Sequence, residues 1–213
     1  MSGFVPRYVD DALLVVDKPA GLLAVPGRGP DKADCLAARV QAEFPDALIV
    51  HRLDRDTSGL MLMARGPDVQ RTLSRAFAAR AVHKRYIAWV AGKLVPPEPE
   101  WGTVDLPLIC DWPNRPLQKV DHEQGKPSVT CWRVLVYDAA RDATRVELEP
   151  VTGRSHQLRV HMRALGHPVL GDPLYAPAAV RAQAARLMLH AAALEIAHPV
   201  TGAPCAFASP PPF

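Results

Sequence analysis

The 213-residue sequence predicts an α+β fold with a mixed, mostly antiparallel central sheet and flanking helices and loops. Short apolar runs typical of strands recur along the chain, and two segments carry apolar residues at helical spacing. No regular βαβ rhythm joins them, which disfavours a parallel sheet. Hydrophobic residues make up 48% and charged residues 22%, as in ordinary globular proteins. We therefore expect a single domain over 1–213.

The N-terminal part contains two predicted strands and two predicted helices. Leu13–Val16 is an apolar run followed by a turn sequence, and Leu60–Ala64 is a second such run. Apolar residues four positions apart predict a short amphipathic helix over 33–44 and another over about 67–79. Each helix has one apolar face to bury, so both are expected to pack against the sheet.

The remaining elements are mainly strands. Tyr86–Val90 is strand-like, and the alternating segments Val129–Tyr137 and Thr144–Glu149 flank a polar turn, which predicts a hairpin. Residues 155–165 are predicted to be helical. The apolar run Leu187–Ile196 fits both the helical and the strand periodicity, so its secondary structure is not predicted.

Several function classes are disfavoured by composition. The apolar runs are too short to span a bilayer and the N-terminus lacks a signal pattern, so we predict a cytoplasmic protein with no membrane partner. No two of the four cysteines have metal-ligand spacing, so no metal is expected. Neither GxGxxG nor GxxxxGK[ST] occurs, which agrees with the absence of a nucleotide cofactor.

Basic residues occur in separate clusters although the formal net charge is only +3. Such clusters form a nucleic-acid groove if the fold brings them together, and independent solvated faces if it does not. Charge alone leaves both readings open. The clustered residues are Arg52, Arg55, Arg80, His83, Lys84, Arg85, Lys119, Lys126, Arg154, His156, Arg159, His161 and Arg163.

The stretch VHRLDRDTSGLMLMARG, residues 50–66, is the strongest candidate for a site. If residues 50–54 are extended, Arg52 and Asp54 share one face. Thr57–Gly59 is predicted to form a turn, and the apolar run after it anchors that turn in the core. Asp54 is then held rigidly at the end of a strand, which is a common position for a catalytic residue.

A second polar stretch, from Glu147 to Asp172, offers partners for that carboxylate. Thr152–Ser155 is predicted to turn into the helix at 155–165. An arginine of this segment facing Asp54 would keep the carboxylate ionised and ready to act as nucleophile or base.

These segments resemble a known family. HRLDRDTSGL is similar to the HRLDxxTSGL signature of the RluA family of pseudouridine synthases, and the resemblance continues in the same order over nearly the whole chain. The other segments that carry it are LLVVDKPAGLLAVPG, KRYIAWVAG, VDLPLICDWPNRPLQK, GKPSVT and TGRSHQLRVHMRALGHPVLGD. DLPLICDWPNRPLQKV is most like the dual-specificity members. Larger relatives carry an S4-like RNA-binding domain, and about a dozen residues before the first strand predict no S4-like domain here.

The resemblance implies the pseudouridine synthase fold, with a catalytic cleft across the sheet, and an RNA isomerase that needs no metal and no cofactor. In that family uridine becomes pseudouridine when the N1–C1′ bond breaks, the uracil rotates and a C5–C1′ bond forms. Asp54 matches the catalytic aspartate. Attack on C1′, attack on C6 and a glycal route all remain open for it.

The resemblance also assigns roles to three other catalytic or base-contacting positions. Arg154 is the candidate cation beside Asp54. Arg159 is the alternative, because position in the sequence does not show which arginine points inward. Tyr86 matches the active-site tyrosine, which can stack on the base and take a proton. Leu158 matches an apolar residue that packs on the other face of the uracil, or it belongs to the core.

RNA contacts are expected at several basic positions. The target base must be flipped out of its loop, and Arg52 resembles the arginine that fills the gap, with a phosphate contact or an ion pair as the alternative. Candidate phosphate contacts are Lys84, Arg85, Lys119 and Lys126. His51 is expected to be structural and to bond the backbone near the turn.

The resemblance to dual-specificity enzymes implies stem-loops of 23S rRNA and tRNA anticodon loops, of the position 32 type, as substrates. The sequence does not determine the oligomeric state, and we expect a monomer. Two other function classes use parts of the same sequence pattern. A non-catalytic RNA-binding domain would need the basic clusters and not Asp54. A carboxylate-pair hydrolase would need a general acid, with Asp56 or Glu149 as candidates.

Overall fold

A computed structural model describes residues 4–27, 29, 32–95, 98 and 100–213. The chain forms two compact units, each built from separated stretches. The first comprises Met1–Lys84 with His190–Pro212, and the second comprises Arg85–Leu189 with Phe213. The prediction of a single domain over 1–213 stays a prediction.

The strands are named in chain order. They are β1 Val5–Val9, β2 Leu13–Lys18, β3 Ala47–Ile49, β4 Ser58–Arg65, β5 His83–Ala91, β6 Gly102–Asp105, β7 Leu108–Cys110, β8 Gln118–Val120, β9 Val129–Asp138, β10 Ala143–Pro150, β11 Leu189–Ala197 and β12 Pro204–Ala208. The helices are α1 Leu36–Glu43, α2 Pro67–Ala78, α3 Gln157–Ala164 and the single turn α4 Ala178–Arg181.

The sheet of the first unit is ordered β1–β2–β4–β11, with β12 beside β11 and β3 beside β4. All these pairs are antiparallel except β4 with β11, where Ser58 lies opposite His190 and Gly59 opposite Ala191. Gly59 has φ +108, and a Cβ there would collide with the Ala191 carbonyl oxygen. A glycine is therefore required where β4 meets its parallel neighbour.

Both faces of β4 are covered, which explains its unbroken apolar run. Met61 packs in a cluster with Leu36 of α1, and Leu62 packs in another cluster with Leu73 of α2. A strand buried on both faces needs no polar alternation. The strand thus provides a rigid element directly after the Asp54 segment.

The second unit contains an antiparallel sheet ordered β5–β10–β9–β6 and a separate β7–β8 hairpin. Helix α3 contributes Leu158 and Met162 to the cluster that holds Val90 and Leu148 of the sheet. Val160 faces a smaller cluster that includes Leu108 of the hairpin. The α+β class and the mostly antiparallel strands agree with the sequence prediction.

The predicted strands, helices and hairpin are all present with shifted ends, and the ambiguous run Leu187–Ile196 forms most of β11. The turn predicted at Thr57–Gly59 is wrong. The chain turns at Arg55–Asp56, and Ser58 already belongs to β4. The prediction used the Thr-Ser-Gly sequence and the freedom of glycine to adopt a positive φ. Gly59 does adopt one, but at a close contact between strands and not in a turn.

The strands that the sequence did not reveal are short or exposed; they are β1, β3, β6, β7, β8 and β12. Every residue of β1 is exposed, so it lacks the apolar alternation on which the prediction depends. In the described part of the chain, no helix is long and apolar enough to cross a membrane.

Candidate active site

Backbone hydrogen bonds fix the turn that carries Asp54. The carbonyl of Asp54 accepts the Thr57 N–H at 3.2 Å, and the carbonyl of Arg55 accepts the Gly21 N–H at 2.9 Å. Leu53, just before the turn, is buried, and Asp54 is half-buried. The carboxylate is therefore presented on a short loop whose two ends enter the core of the first unit.

A buried lysine, Lys18, also binds the main chain of this turn. Lys18, only 1% exposed, donates from Nζ to the carbonyls of Pro19, Leu22 and Arg55 at 2.8, 2.7 and 2.8 Å. Three carbonyl dipoles around an ammonium offset part of the desolvation penalty of burying that charge. Lys18 thus ties the residue after Asp54 to the end of β2.

His51 is structural, as predicted. Its Nε2 accepts the Leu62 N–H at 2.9 Å, and its ring stacks on Phe77 with centroids 4.6 Å apart. Burial, assisted by the positive charge of Lys84, lowers the pKa of His51 to about 3. The imidazole is therefore neutral at physiological pH and accepts the bond that fixes the chain before Asp54.

The other charged residues of the signature point to different environments. Arg52 is exposed, and its contact with RNA stays a prediction. Arg55 and Asp56 form a local ion pair at 3.0 Å, so Asp56 is already engaged by its neighbour. Outside the signature, Lys84 is half-buried in the first unit.

The second unit carries the remaining predicted residues. Tyr86, half-buried on β5, lies opposite Leu148 of β10, and both belong with Leu158 to one apolar cluster. Arg85 is exposed, and its Nε lies 3.7 Å from Oε1 of Glu147. Lys119 is exposed on β8, 3.4 Å from Asp121.

The start of α3 is organised by the buried side chain of Gln157. Its Oε1 accepts the Thr152 hydroxyl at 2.7 Å and the Arg154 N–H at 3.0 Å. Its amide donates to the Val129 carbonyl at 2.9 Å and to the Thr130 hydroxyl at 3.0 Å. One side chain thereby fixes the loop, the helix start and the edge of β9 together.

The two candidate arginines occupy opposite environments. Arg154 is exposed in the loop before α3, and its Nε lies 3.4 Å from the Pro127 carbonyl. Arg159 is 2% exposed and makes a two-point salt bridge with Asp172, at 2.8 Å through Nε and 2.6 Å through Nη2. Water screens the charge of an exposed guanidinium, whereas a buried one lies in a medium of lower effective dielectric constant. Of the two arginines, only Arg159 is buried in this way.

Chemically, the described residues include the Asp54 carboxylate, on a turn whose main chain is fixed, and the buried Arg159 of the second unit. Among them no group of three or more His, Cys, Asp or Glu side chains is arranged to hold a metal ion. Sequence reasoning missed Lys18, Gln157 and Asp172, because residue type does not distinguish a buried polar side chain from a solvated one. The spacing of Arg159 and Asp172 along the chain gives no signal that they pair.

Comparison with known proteins identifies relatives over the length of this chain. Residues 12–164 match the family model described as RNA pseudouridylate synthase. The dual-specificity RNA pseudouridine synthase RluA of Escherichia coli K12 is 52% identical over 206 residues, which cover 97% of this chain and 92% of that protein. The enzyme of the same name from Yersinia pestis is 52% identical over 200 residues, covering 94% and 95%.

A solved structure is similar as well. Human RNA Pseudouridylate Synthase Domain Containing 1 superimposes with a TM-score of 0.80 and 29% identity, covering all of this chain and 86% of that one.

Proposed function

The chain belongs to the RNA pseudouridine synthase family, and from that premise we propose that it isomerises uridines in stem-loops of 23S rRNA and in tRNA anticodon loops, at a position 32 type site. The observation that carries the proposal is Asp54, presented on a pinned turn inside the family signature. The similarity to dual-specificity enzymes at 52% identity supports both RNA classes as substrates.

In the proposed reaction the N1–C1′ bond breaks, the uracil rotates and a C5–C1′ bond forms. C5 loses its proton and N1 gains one, so the nucleotide keeps its composition. Asp54 provides the ionised carboxylate that attacks the sugar or the base, or removes a proton on the glycal route. In this proposal Tyr86 stacks on the flipped uracil, and its hydroxyl takes part in a late proton transfer.

For the cation that accompanies Asp54 we favour Arg159 over Arg154. Buried side chains in a dry environment stabilise a carboxylate more strongly than exposed ones. Arg159 is almost inaccessible and Arg154 is exposed. Arg154 is then a contact to the RNA backbone, and Leu158, the neighbour of Arg159 on α3, packs on the uracil.

Access to the target uridine requires base flipping, which costs a few kcal/mol. We propose that exposed Arg52 inserts its planar guanidinium into the gap. Lys84, Arg85, Lys119 and Lys126 contact phosphates, and the shape of the loop selects the site more than individual bases do. We further propose that the protein acts as a cytoplasmic monomer, with its catalytic cleft across the sheet.

The experiment is to map pseudouridine in total RNA from three strains: one with the gene, one without it, and one carrying an Asp54→Asn allele. We expect specific sites in 23S rRNA and tRNA to be modified only with the intact gene. Modification in one RNA class alone narrows the substrate. Modification that persists in the Asp54→Asn strain contradicts the proposal.

The same strains separate the two other classes. A non-catalytic RNA-binding protein predicts no pseudouridine difference and a full biological effect of the Asp54→Asn allele. A carboxylate-pair hydrolase predicts free uracil or shortened RNA. The ion pair of Asp56 with Arg55 disfavours Asp56 in that role, because its carboxylate is already engaged by its neighbour.

A further inference from the structure

Arg159 contacts two residues of the second unit, Asp172 and Tyr175, that have no role in the proposed reaction. We call these three residues the Arg159 corner. The carboxylate of Asp172 is fully buried and holds the Arg159 guanidinium at two points, 2.8 and 2.6 Å away. Its Oδ1 also accepts the backbone N–H groups of Leu174 at 2.8 Å and Tyr175 at 3.1 Å. The carboxylate is thus fixed by its own turn before it binds the arginine.

Tyr175 supports the same guanidinium from a different side. Its ring centroid lies 5.1 Å from the Arg159 Cζ, within cation–π range. Its hydroxyl accepts the Gln118 N–H at 2.8 Å and lies 2.6 Å from His156 Nδ1. The tyrosine is therefore anchored to β8 and to the residue before α3, and it cannot move away from the arginine without breaking those bonds.

Stability alone is a weak reason for this arrangement. Burying two charges carries a desolvation penalty that their attraction often only balances, and well-packed apolar residues do as well. A two-point salt bridge over a fixed ring does, however, define the plane and the direction of a guanidinium. Orientation is the property that this corner adds.

We propose that Asp172 is a positioning residue for Arg159, with Tyr175 as the supporting surface. This inference rests on the proposed function, in which Arg159 accompanies the catalytic carboxylate. Asp172 itself contacts neither RNA nor the reacting atoms in this account. It acts by holding the arginine in the orientation that the reaction requires.

The test is Asp172→Asn, assayed in the full-length protein with a synthetic anticodon stem-loop and a 23S rRNA stem-loop. Asparagine keeps an Oδ1 for the turn and for Arg159 Nη2, but it places an amide donor against the Arg159 Nε–H, so one of the two points that orient the guanidinium is lost. We expect the single-turnover rate constant at saturating RNA to fall about 100-fold, as for a displacement of about 1 Å. The RNA dissociation constant is expected to stay unchanged.

Asp10→Asn is the matched control. Asp10 also accepts N–H groups two and three residues ahead, from Ala12 at 2.8 Å and Leu13 at 2.6 Å, and its partner is His198 at 3.0 Å. It carries no part of the proposed reaction. Its substitution is expected to lower the melting temperature without lowering the rate constant of the folded protein.

Two more variants remove ambiguity. In an Arg159→Met background, adding Asp172→Asn should give no further loss of rate, because the aspartate acts only through the arginine. It should raise the melting temperature, because it removes a buried unpaired charge. If Asp172→Asn does not fold, Asp172→Glu decides: a folded protein that binds RNA but reacts more slowly supports the proposal.

Full activity of either Asp172 variant overturns the inference. An equal loss of rate in Asp10→Asn at a similar fall in melting temperature overturns it too, and so does an additional loss of rate in the Arg159→Met background. Failure of the proposed function is distinct, since the wild-type protein would then form no pseudouridine in the same assay.

Discussion

The Asp54 turn in the first unit and the Arg159 corner in the second are held in different ways. The turn is fixed through main-chain carbonyls, with one buried ammonium and a neutral imidazole as its side-chain supports. The corner is fixed through side chains: Asp172 forms a salt bridge with the Arg159 guanidinium, and the Tyr175 ring contacts it. Main-chain bonds fix where a residue sits, whereas side-chain bonds fix how a flexible group is oriented. A short carboxylate needs the first, and a long arginine needs the second.

The largest expected effect on stability comes from Lys18→Met, which breaks the first arrangement. The substitution leaves the carbonyls of Pro19, Leu22 and Arg55 without the Nζ donor. The Arg55 carbonyl keeps the Gly21 N–H, whereas those of Pro19 and Leu22 lose their donor. At about 1 to 3 kcal/mol for each unsatisfied buried group, the free energy of unfolding should fall by about 2 kcal/mol or more. Urea denaturation measures it.

The control for that prediction is Lys126→Met, because Lys126 is an exposed lysine of the second unit. Surface substitutions of this kind change stability by roughly 0.5 kcal/mol or less. Equal losses in the two variants would show that the buried ammonium has no special part in holding the turn.

A smaller effect is expected from the pH dependence contributed by His51. Its pKa is about 3 in the fold, lowered by burial and by Lys84, against an ordinary 6.5. The stabilising contribution is therefore complete above pH 6.5 and is lost as the pH falls towards 3. One such proton adds a slope of up to about 1.4 kcal/mol per pH unit.

Urea unfolding of the wild type and of His51→Asn, from pH 7 to pH 4, measures that contribution. The variant keeps a side-chain oxygen for the Leu62 N–H but lacks the titrating ring. We expect its unfolding free energy to depend less steeply on pH. Identical slopes would mean that His51 does not stay neutral in the fold.

The smallest effect is expected at the surface of the second unit, from Lys119→Ala. Removing an ammonium that binds a phosphate should weaken binding of all stem-loops alike and reduce the slope of log affinity against log salt by about 0.7 to 0.9. Lys93→Ala is the control, because Lys93 lies over the Tyr137 ring and is not a proposed RNA-binding residue. Equal salt slopes for Lys119→Ala and the wild type would remove Lys119 from the interface.

The sequence predicted what depends on local pattern. The buried run of β4, the spacing of α2 and the β9–β10 hairpin were all found, because each follows from periodicity within its own segment. Strand β1 was missed because its residues are all exposed. Strand β12 was missed because it alternates between exposed and half-buried residues only.

The site divides in the same way. The HRLD stretch marked Asp54 as a candidate, which stays a prediction, and it indicated the structural role of His51, which the bond to the Leu62 N–H supports. Which of Arg154 and Arg159 is buried depended on Asp172, which meets Arg159 only after the chain has folded. Pairings of that kind depend on tertiary structure, and no property of a single segment encodes them.

The central claim is that the Asp54 carboxylate performs the chemistry, and its most direct test is a single-turnover assay of pseudouridine formation in a synthetic stem-loop. Asp54→Asn is compared with Asp56→Asn, whose carboxylate lies in the same turn but pairs with Arg55. We expect Asp54→Asn to bind the RNA and to lose activity by about 10⁴-fold or more, as for an essential catalytic group, while Asp56→Asn stays active. Product formed by Asp54→Asn at a rate near that of the wild type would contradict the account.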